Sequence, residues 1–447
     1  MDSELTRRKF LAVASAAGAG LTLGGAAVIA AGDEKPALLG GRPVRKGAFA
    51  SWPVFDEKEE KALLGALRTG RWFRVGAKNV AGFEKAYAER MGAKRCVAVA
   101  NGTSALMVAM TALGVQAGDE VLLPPYTFVA CPNAILALNA LPVFVDVDPE
   151  TFLIDARKIE AAVTDRTAAV MPVHLGGNVV DLDAVLEVAR RRKLAVVEDT
   201  CQSHLSEWKG RKAGTYGDAG AFSFQASKNL NAGEGGAILT NDDALADHCY
   251  TLHDNSRELG GGGGGFSGYA RRGANFRMTE FQGALLLAQM ERLEAQTCRR
   301  TENAVYLTRT LREIPGIAPA RMHEGCTRNA YHLYMFRYDG TKFAGLPRAA
   351  FLKALSAEGV PVMGGYTPLN KFPFIRGALE SRGFQRLFSK ERIALWEERN
   401  SCPANDRLCT EAVWMTQNVF LGTRTDMDEI AAAVRKVQKY AAELAKA

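Results

Sequence analysis

Between residues 96 and 197 the chain alternates short, almost unbroken apolar runs with stretches of helical pattern, and few folds accept that alternation. The runs are Cys96-Val97-Ala98-Val99-Ala100, Glu120-Val121-Leu122-Leu123, Pro142-Val143-Phe144-Val145-Asp146, Ala168-Ala169-Val170-Met171-Pro172-Val173 and Leu194-Ala195-Val196-Val197. A strand with one wet face alternates apolar and polar residues, whereas an unbroken apolar strand is covered on both faces. Helical stretches fall between the runs: one opens at Thr103, one spans Asn133 to Leu138 and one Leu182 to Arg192. The pattern predicts βαβ units, hence an α/β fold with a mostly parallel sheet between helices.

The rest of the chain, 447 residues in all, is organised around that region. Residues 1–30 form a leader and 31–75 an N-terminal arm, in which Pro36 to Ser51 is rich in Gly, Pro and basic residues and reads as extended. A large domain is expected over 76–290. A long helical stretch, Met278 to Glu294 and on to Leu311, leads into a smaller α+β domain over 291–447, which contains the β-rich run Tyr334-Met335-Phe336-Arg337 and ends in an amphipathic helix from Asp426 to about Leu444. The glycine run Gly260 to Gly265 formally contains GxGxxG, but no strand precedes it, so it reads as a loop and not a dinucleotide fingerprint.

Composition removes several functional classes. Hydrophobic residues are 47%, charged residues 23% and the mean hydropathy −0.09, which excludes a multi-span membrane protein, a fibre and a disordered chain. The net charge of +7 is spread over the whole length, so no nucleic-acid partner is expected. The longest basic run, Arg190 to Lys193, reads as the solvated end of a helix. Eight cysteines without a CxxC pair and six histidines without HExxH spacing predict no metal site. Most of the thiols are expected to be buried and free, with Cys402 and Cys409 the nearest pair for a disulfide.

The leader reads differently. Thr6-Arg7-Arg8-Lys9-Phe10-Leu11 precedes the small, apolar stretch Ala12 to Ala31, and cleavage is expected after Ala30. Gly18, Gly20, Gly24 and Gly25 weaken it as an ordinary helix. The segment resembles a twin-arginine export signal, which implies export of the folded chain through that machinery to the periplasm or beyond. An uncleaved leader would instead anchor the protein, since the stretch is almost long enough to span a membrane.

Four segments carry candidate chemistry. Asn101-Gly102-Thr103-Ser104 joins a strand end to a helix start, where free amides, hydroxyls and the positive helix end make an anion site or a plain N-cap. Glu198-Asp199-Thr200-Cys201-Gln202-Ser203-His204 follows an apolar strand, so a carboxylate there points into the crevice in which such sheets bind ligands, unless it only caps a helix. Lys228 lies beside glycines, hydroxyls and an apolar strand, in Gly217 to Gly236; desolvation there would lower its pKa toward a nucleophilic range. Gly273 to Glu280 opens the long helix, with Asn275 or Thr279 as its cap. A lysine for an aldehyde, a carboxylate for a ring nitrogen, an anion site with Ser223 and an aromatic such as Phe128 are together what pyridoxal 5'-phosphate needs.

The ordered set NGTSAL (101–106), PPYTFVA (124–130), PVFVDVDPETFLID (142–155), VHLGG (173–177), EDTCQSH (198–204), GDAGAFSFQASKNLNAGEGG (217–236) and GANFRMTEFQGA (273–284) resembles the DegT/StrS-type family of pyridoxal-phosphate-dependent sugar aminotransferases. The resemblance runs from about Pro36 to Lys439 and implies the type I aminotransferase fold. It further implies that Lys228 forms the Schiff base and moves the substrate proton. By the same resemblance Asp199 partners the pyridine nitrogen, Gln202 contacts the ring hydroxyl, Gly102, Thr103, Ser104 and Ser223 bind the phosphate, and Phe128 stacks on the ring. Asn275 would reach the phosphate of a neighbouring subunit, which implies a homodimer with shared sites.

The substrate end departs from many relatives, which carry histidines flanking the tyrosine and leucine of Gly365-Tyr366-Thr367-Pro368-Leu369-Asn370. With Trp414-Met415-Thr416-Gln417-Asn418, this segment is similar to the branch that acts on keto-cyclitols with glutamine as donor. His332 resembles a position near the site and reads equally as a core histidine. The expected activity is amine transfer from glutamate or glutamine to a keto-sugar or keto-cyclitol. A sugar dehydratase of the same fold is disfavoured by Lys228, and a cofactor-loaded binding or regulatory protein without turnover is the further alternative.

Overall fold

Seven strands position everything else. In the computed structural model, which describes residues 35–257 and 272–447, they are β1 (Arg95–Val99), β2 (Glu120–Leu123), β3 (Leu141–Phe144), β4 (Thr167–Val170), β5 (Ala195–Asp199), β6 (Ala219–Ser223) and β7 (Gly236–Thr240). The spatial order is β1-β7-β6-β5-β4-β2-β3. β6, β5, β4, β2 and β3 pair in parallel, and β7 runs antiparallel to both of its neighbours. The leader and the glycine run Gly260 to Gly265 lie outside the described residues.

The expected α/β fold with a mostly parallel sheet is therefore present, with two local differences. β7 was not expected: it follows the glycine-rich stretch Gly233 to Gly236, which reads as loop. The run Ala168 to Val173 stops as a strand at Val170, because Pro172 has no amide to donate; Val173 makes only a single bridge to Asp199.

Helices α1 (Glu57–Arg68), α2 (Asn79–Met91), α3 (Gly102–Ala112), α4 (Ala130–Ala137), α5 (Leu182–Arg192), α6 (Asp243–His253), α7 (Glu280–Arg312) and α8 (Arg424–Lys439) follow. α1 lies inside the segment expected as an arm; Asp56 and Glu59 close its first turn in a capping box. The extended part of that arm is pinned by the fully buried Glu358, which accepts from the Ala37 and Val44 amides and pairs with Lys436 at 3.1 Å. The basic end of α5 turns at left-handed Lys193, and Arg191 and Arg192 pair with Glu160, as a solvated helix end should.

α7 has 33 residues, about 50 Å at the usual rise. Of the two expected caps, Thr279 closes its N-terminus in a capping box with Gln282. Its first residue, Glu280, accepts from the Asn79 and Val80 amides at 2.7 and 3.0 Å and so supplies the cap that α2 lacks in its own sequence. Past α7, β8 (Ile317–Pro319), β9 (Leu333–Tyr338) and β10 (Ala412–Thr416) form an antiparallel sheet whose Tyr334, Phe336 and Val413 pack with Leu307, Ile430 and Val434 of α7 and α8. All eight cysteines are free, and Cys298 is the exposed one.

Candidate active site

The parallel strands end on one edge of the sheet, and the chemistry-bearing side chains gather there. Asn101, just past β1, is extended and caps α3, its Oδ1 accepting from the Ser104 amide at 2.8 Å. The Gly102 and Thr103 amides take no protein acceptor among the described residues, so they remain open at the positive end of the helix. The plain N-cap reading holds, and the capping asparagine leaves two donors free to meet an anion. A β-carbon on Gly102 would stand 2.8 Å from Ser223 Cβ and 3.0 Å from Cys201 Sγ; only glycine lets α3 approach β6 so closely.

Asp199, the last residue of β5, is buried. Its Oδ1 accepts from the Cys201 amide at 3.1 Å and its Oδ2 from Cys131 Sγ at 2.9 Å. Burial and the neighbouring carboxylate push the Cys131 thiol well above its ordinary range, so the sulfur keeps its proton and is the donor. The preceding residue, Glu198, points to the other face of the strand. There it accepts from His174 Nε2 at 2.9 Å and from the Gly214, Tyr216 and Gly217 amides, each at 2.7 Å. Burial pushes Glu198 up, but these donors outweigh it and hold the carboxyl below its usual value.

Lys228 sits in a loop between β6 and β7 that is tied at several points. Phe224 and Gly235 pair through the backbone, Asn229 Nδ2 donates to the Ala330 carbonyl at 2.8 Å, and Trp52 Nε1 donates to the Ala226 carbonyl at 2.8 Å. The ammonium has no hydrogen bond or ion pair among the described residues. Burial lowers its pKa, opposed in part by Cys201, Asp199 and Cys131. Below the loop His204 is clamped between Tyr87 Oη and the Ser223 carbonyl, both at 2.9 Å, and burial drives its pKa down to about 3, so it is a neutral strut.

A cavity of about 970 Å³ opens at this edge. Asn101, Gly102, Thr103, Ser104, Phe128, Asp199, Gln202, Ser223, Lys228 and His332 all contribute to it. Gln202 is oriented by the Gly176 amide at 2.8 Å and by Tyr366 Oη at 3.2 Å, and Phe128 is 54% exposed, an aromatic face left open at the cavity. His332 Nδ1 donates to Asn229 Oδ1 at 3.2 Å, and burial holds its imidazole well below the usual range. Asn275 is outside this lining: it is exposed, and its Oδ1 accepts from the Arg277 amide at 3.3 Å.

Sequence reasoning missed the far wall. Trp52, Cys131, Met363 and Glu234 line the cavity, as do Tyr366, Trp414 and Gln417 from the segments noted only for their likeness to cyclitol enzymes. Tyr366 and Trp414 meet edge to face at 4.5 Å, and Trp414 Nε1 donates to Tyr126 Oη at 3.2 Å. Gly365 has φ +78°, and a β-carbon there would lie 2.5 Å from Tyr126 Oη, so the turn that presents Tyr366 requires glycine. The nearest sequence signal was this Gly-Tyr pair.

The open amides, the crowding at Gly102, the exposed ring of Phe128, and a desolvated lysine and a buried carboxylate lining one cavity fit a phosphorylated aromatic aldehyde. Residues 53–412 match the DegT/DnrJ/EryC1/StrS aminotransferase family. The chain belongs to that family. It is a pyridoxal-phosphate-dependent aminotransferase with the type I fold. This aminotransferase is 36% identical to the L-glutamine:2-deoxy-scyllo-inosose aminotransferase of Streptoalloteichus tenebrarius, over 91% of its own length and 98% of that protein's. Among solved structures, 3-amino-5-hydroxybenzoic acid synthase superposes with a TM-score of 0.79 at 30% identity, over 89% of this chain and 100% of the other. NtdA of Bacillus subtilis, solved with the cofactor PMP bound, superposes at 0.73 with 25% identity, over 88% and 86% of the two chains.

Proposed function

We propose that the aminotransferase moves an amino group from glutamine or glutamate to a ketone on a cyclitol ring, with Lys228 as the residue joined to the cofactor. When bound, pyridoxal phosphate supplies an aldehyde that an amine can join and a ring that draws electrons from the substrate carbon. The chain's own residues do the rest. Lys228 Nζ, favoured as a free amine by burial, is the nucleophile and afterwards holds and returns the substrate proton. Asp199, fixed by Cys131 and the Cys201 amide, would partner the ring nitrogen. Gly102, Thr103, Ser104 and Ser223 would hold the phosphate, Phe128 would cover the ring and Gln202 would take the ring hydroxyl.

The composition of the cavity wall carries the acceptor reading. Among the described residues its basic side chains are Lys228 and His332, so no arginine stands ready for the diphosphate of a nucleotide sugar, while Trp52, Tyr366, Trp414, Gln417 and Asn418 suit a neutral polyhydroxylated ring. The curated relative named above acts, by its name, on such a ring with L-glutamine. Incubation of the holoenzyme with L-glutamine should abolish its visible absorbance, and 2-deoxy-scyllo-inosose should then restore it. Lys228→Ala should do neither. Unaltered turnover in that variant, or response to a nucleotide ketosugar alone, contradicts the proposal.

The same reading covers four further points. The active unit is a homodimer: Phe55 is 70% exposed and Trp72 51%, beside Leu63, Leu64, Leu67, Phe73 and Val75, an apolar surface suited to a second copy. Asn275, absent from its own cavity, then serves the partner's phosphate. Residues 76–290 and 291–447 act as the large and small domains. Thr6 to Leu11 directs the chain to the twin-arginine machinery and out of the cytoplasm, with or without cleavage after Ala30.

A further inference from the structure

Arg300 of α7 is completely buried, 0% exposed. Its Nε donates to Gln417 Oε1 at 2.8 Å, and its guanidinium carbon stands 5.1 Å from the centre of a Trp52 ring. Nη1 and Nη2 have no acceptor among the described residues, and no carboxylate pairs with the group. Burial alone lowers its pKa, to about 9. A cation kept dry without a counter-ion is destabilising, and an apolar side chain of similar length would pack there at less cost. Something other than packing retains it.

Its hydrogen-bond partner Gln417 and the ring of Trp52 both line the cavity. A guanidinium only donates, so the end of the Gln417 amide that faces Arg300 is its oxygen. The nitrogen end, Nε2, is thereby turned away from Arg300, and it has no acceptor among the described residues.

Under the function proposed above, two unlike substrates use this cavity in turn. The amino donor brings a carboxylate next to its reacting carbon, and the cyclitol ketone brings hydroxyls. A desolvated carboxylate needs a positive partner. Lys228 is committed to the cofactor, and burial keeps His332 neutral. We propose that Arg300, acting through Gln417, receives the donor's carboxylate: Gln417 Nε2 donates to it, and the buried charge behind the amide strengthens that bond. The neutral amide also serves a hydroxyl oxygen of the ketone, with no guanidinium exposed to the polyol. Arg300 is thus a positioning residue that lets one wall accept both substrates.

The inference rests on the aminotransferase reading, and the decisive variant is Gln417→Glu. It gives Arg300 a carboxylate of its own, so the fold should hold and the wall should lose its net positive charge. Calorimetric binding of 4-carbamoylbutanoate, which is glutamine without its α-amine, should weaken by at least about tenfold, as should the apparent affinity for L-glutamine in single-turnover absorbance. The apparent affinity of the pyridoxamine form for 2-deoxy-scyllo-inosose should fall less, because a hydroxyl, unlike a carboxylate, can donate to the oxygen that replaces Nε2. Arg300→Gln should weaken the two carboxylates in the same way, with partial rescue by Arg300→Lys; if Arg300→Gln does not fold, Gln417→Glu decides. Binding of 4-carbamoylbutanoate to folded Gln417→Glu within twofold of wild type overturns the inference, as does an equal loss for the ketone. If wild type transfers no amine yet the variants still separate on 4-carbamoylbutanoate, the carboxylate site stands and the function reading fails.

Discussion

Gly102→Ala is the sharpest perturbation of the cofactor end. The added methyl would stand 2.8 Å from Ser223 Cβ and 3.0 Å from Cys201 Sγ, whereas carbon atoms in contact sit at about 3.5–4.0 Å. Ser223 cannot retreat: it ends β6 between β5 and β7, and its carbonyl is held by His204 at 2.9 Å. The start of α3 must therefore move out, on the order of 1 Å, and carry the open Gly102 and Thr103 amides with it. Overpacking of this kind costs about 1–3 kcal/mol. Misplaced hydrogen bonds to a charged phosphate cost about 1.5–3 kcal/mol each. The combined expectation is a pyridoxal phosphate Kd weakened by roughly ten- to a hundredfold and a lower apo Tm. Titration by cofactor absorbance, with differential scanning fluorimetry on the apo protein, measures both. Gly377→Ala is the control, because that exposed helical glycine has nothing within 4 Å of an added carbon; it should stabilise by about 0.5–1 kcal/mol and leave cofactor affinity alone. A Gly102→Ala protein that binds the cofactor within twofold of wild type refutes the reasoning.

Two predictions concern pH. Glu198 is held below its unfolded pKa, so its stabilisation is present above about pH 4.5 and disappears as pH falls through the lower folded value. Glu198→Gln should cost about 3 kcal/mol or more at pH 7 by chemical denaturation and flatten the acid limb of stability against pH; an unchanged acid limb contradicts this. Lys228 is displaced the opposite way for a base: the buried ammonium is disfavoured, so apo stability should climb as pH rises from the folded pKa toward 10.5, where the unfolded lysine also loses its proton. Lys228→Met should be the more stable apo protein at pH 7, and its advantage should shrink in alkali; an advantage independent of pH would rule out desolvation as the cause.

The sequence made some parts of this molecule legible and hid others for physical reasons. The parallel strands were readable because burial on both faces forces continuous apolar runs. Asp199 was readable because it ends such a strand, the Asn101 to Ser104 turn because it follows one, and Lys228 because it sits among glycines and hydroxyls just past the small-residue strand β6. β7 was hidden because its partner choice depends on a return through glycines that look like loop. α1 was hidden because its apolar residues Leu63, Leu64 and Leu67 stay exposed in the single chain, which blurs its pattern. Arg300 and Gln417 are 117 residues apart, and Trp52 reaches across from the arm to Ala226. No local periodicity reports contacts of that range.

The most direct test of the central claim is chemical. Holoenzyme reduced with borohydride and digested should carry the cofactor on the peptide that contains Lys228 and on no other, with the visible absorbance lost in step. Cofactor trapped on another lysine, or released entirely on denaturation, would contradict the assignment on which the chemistry of the cavity depends.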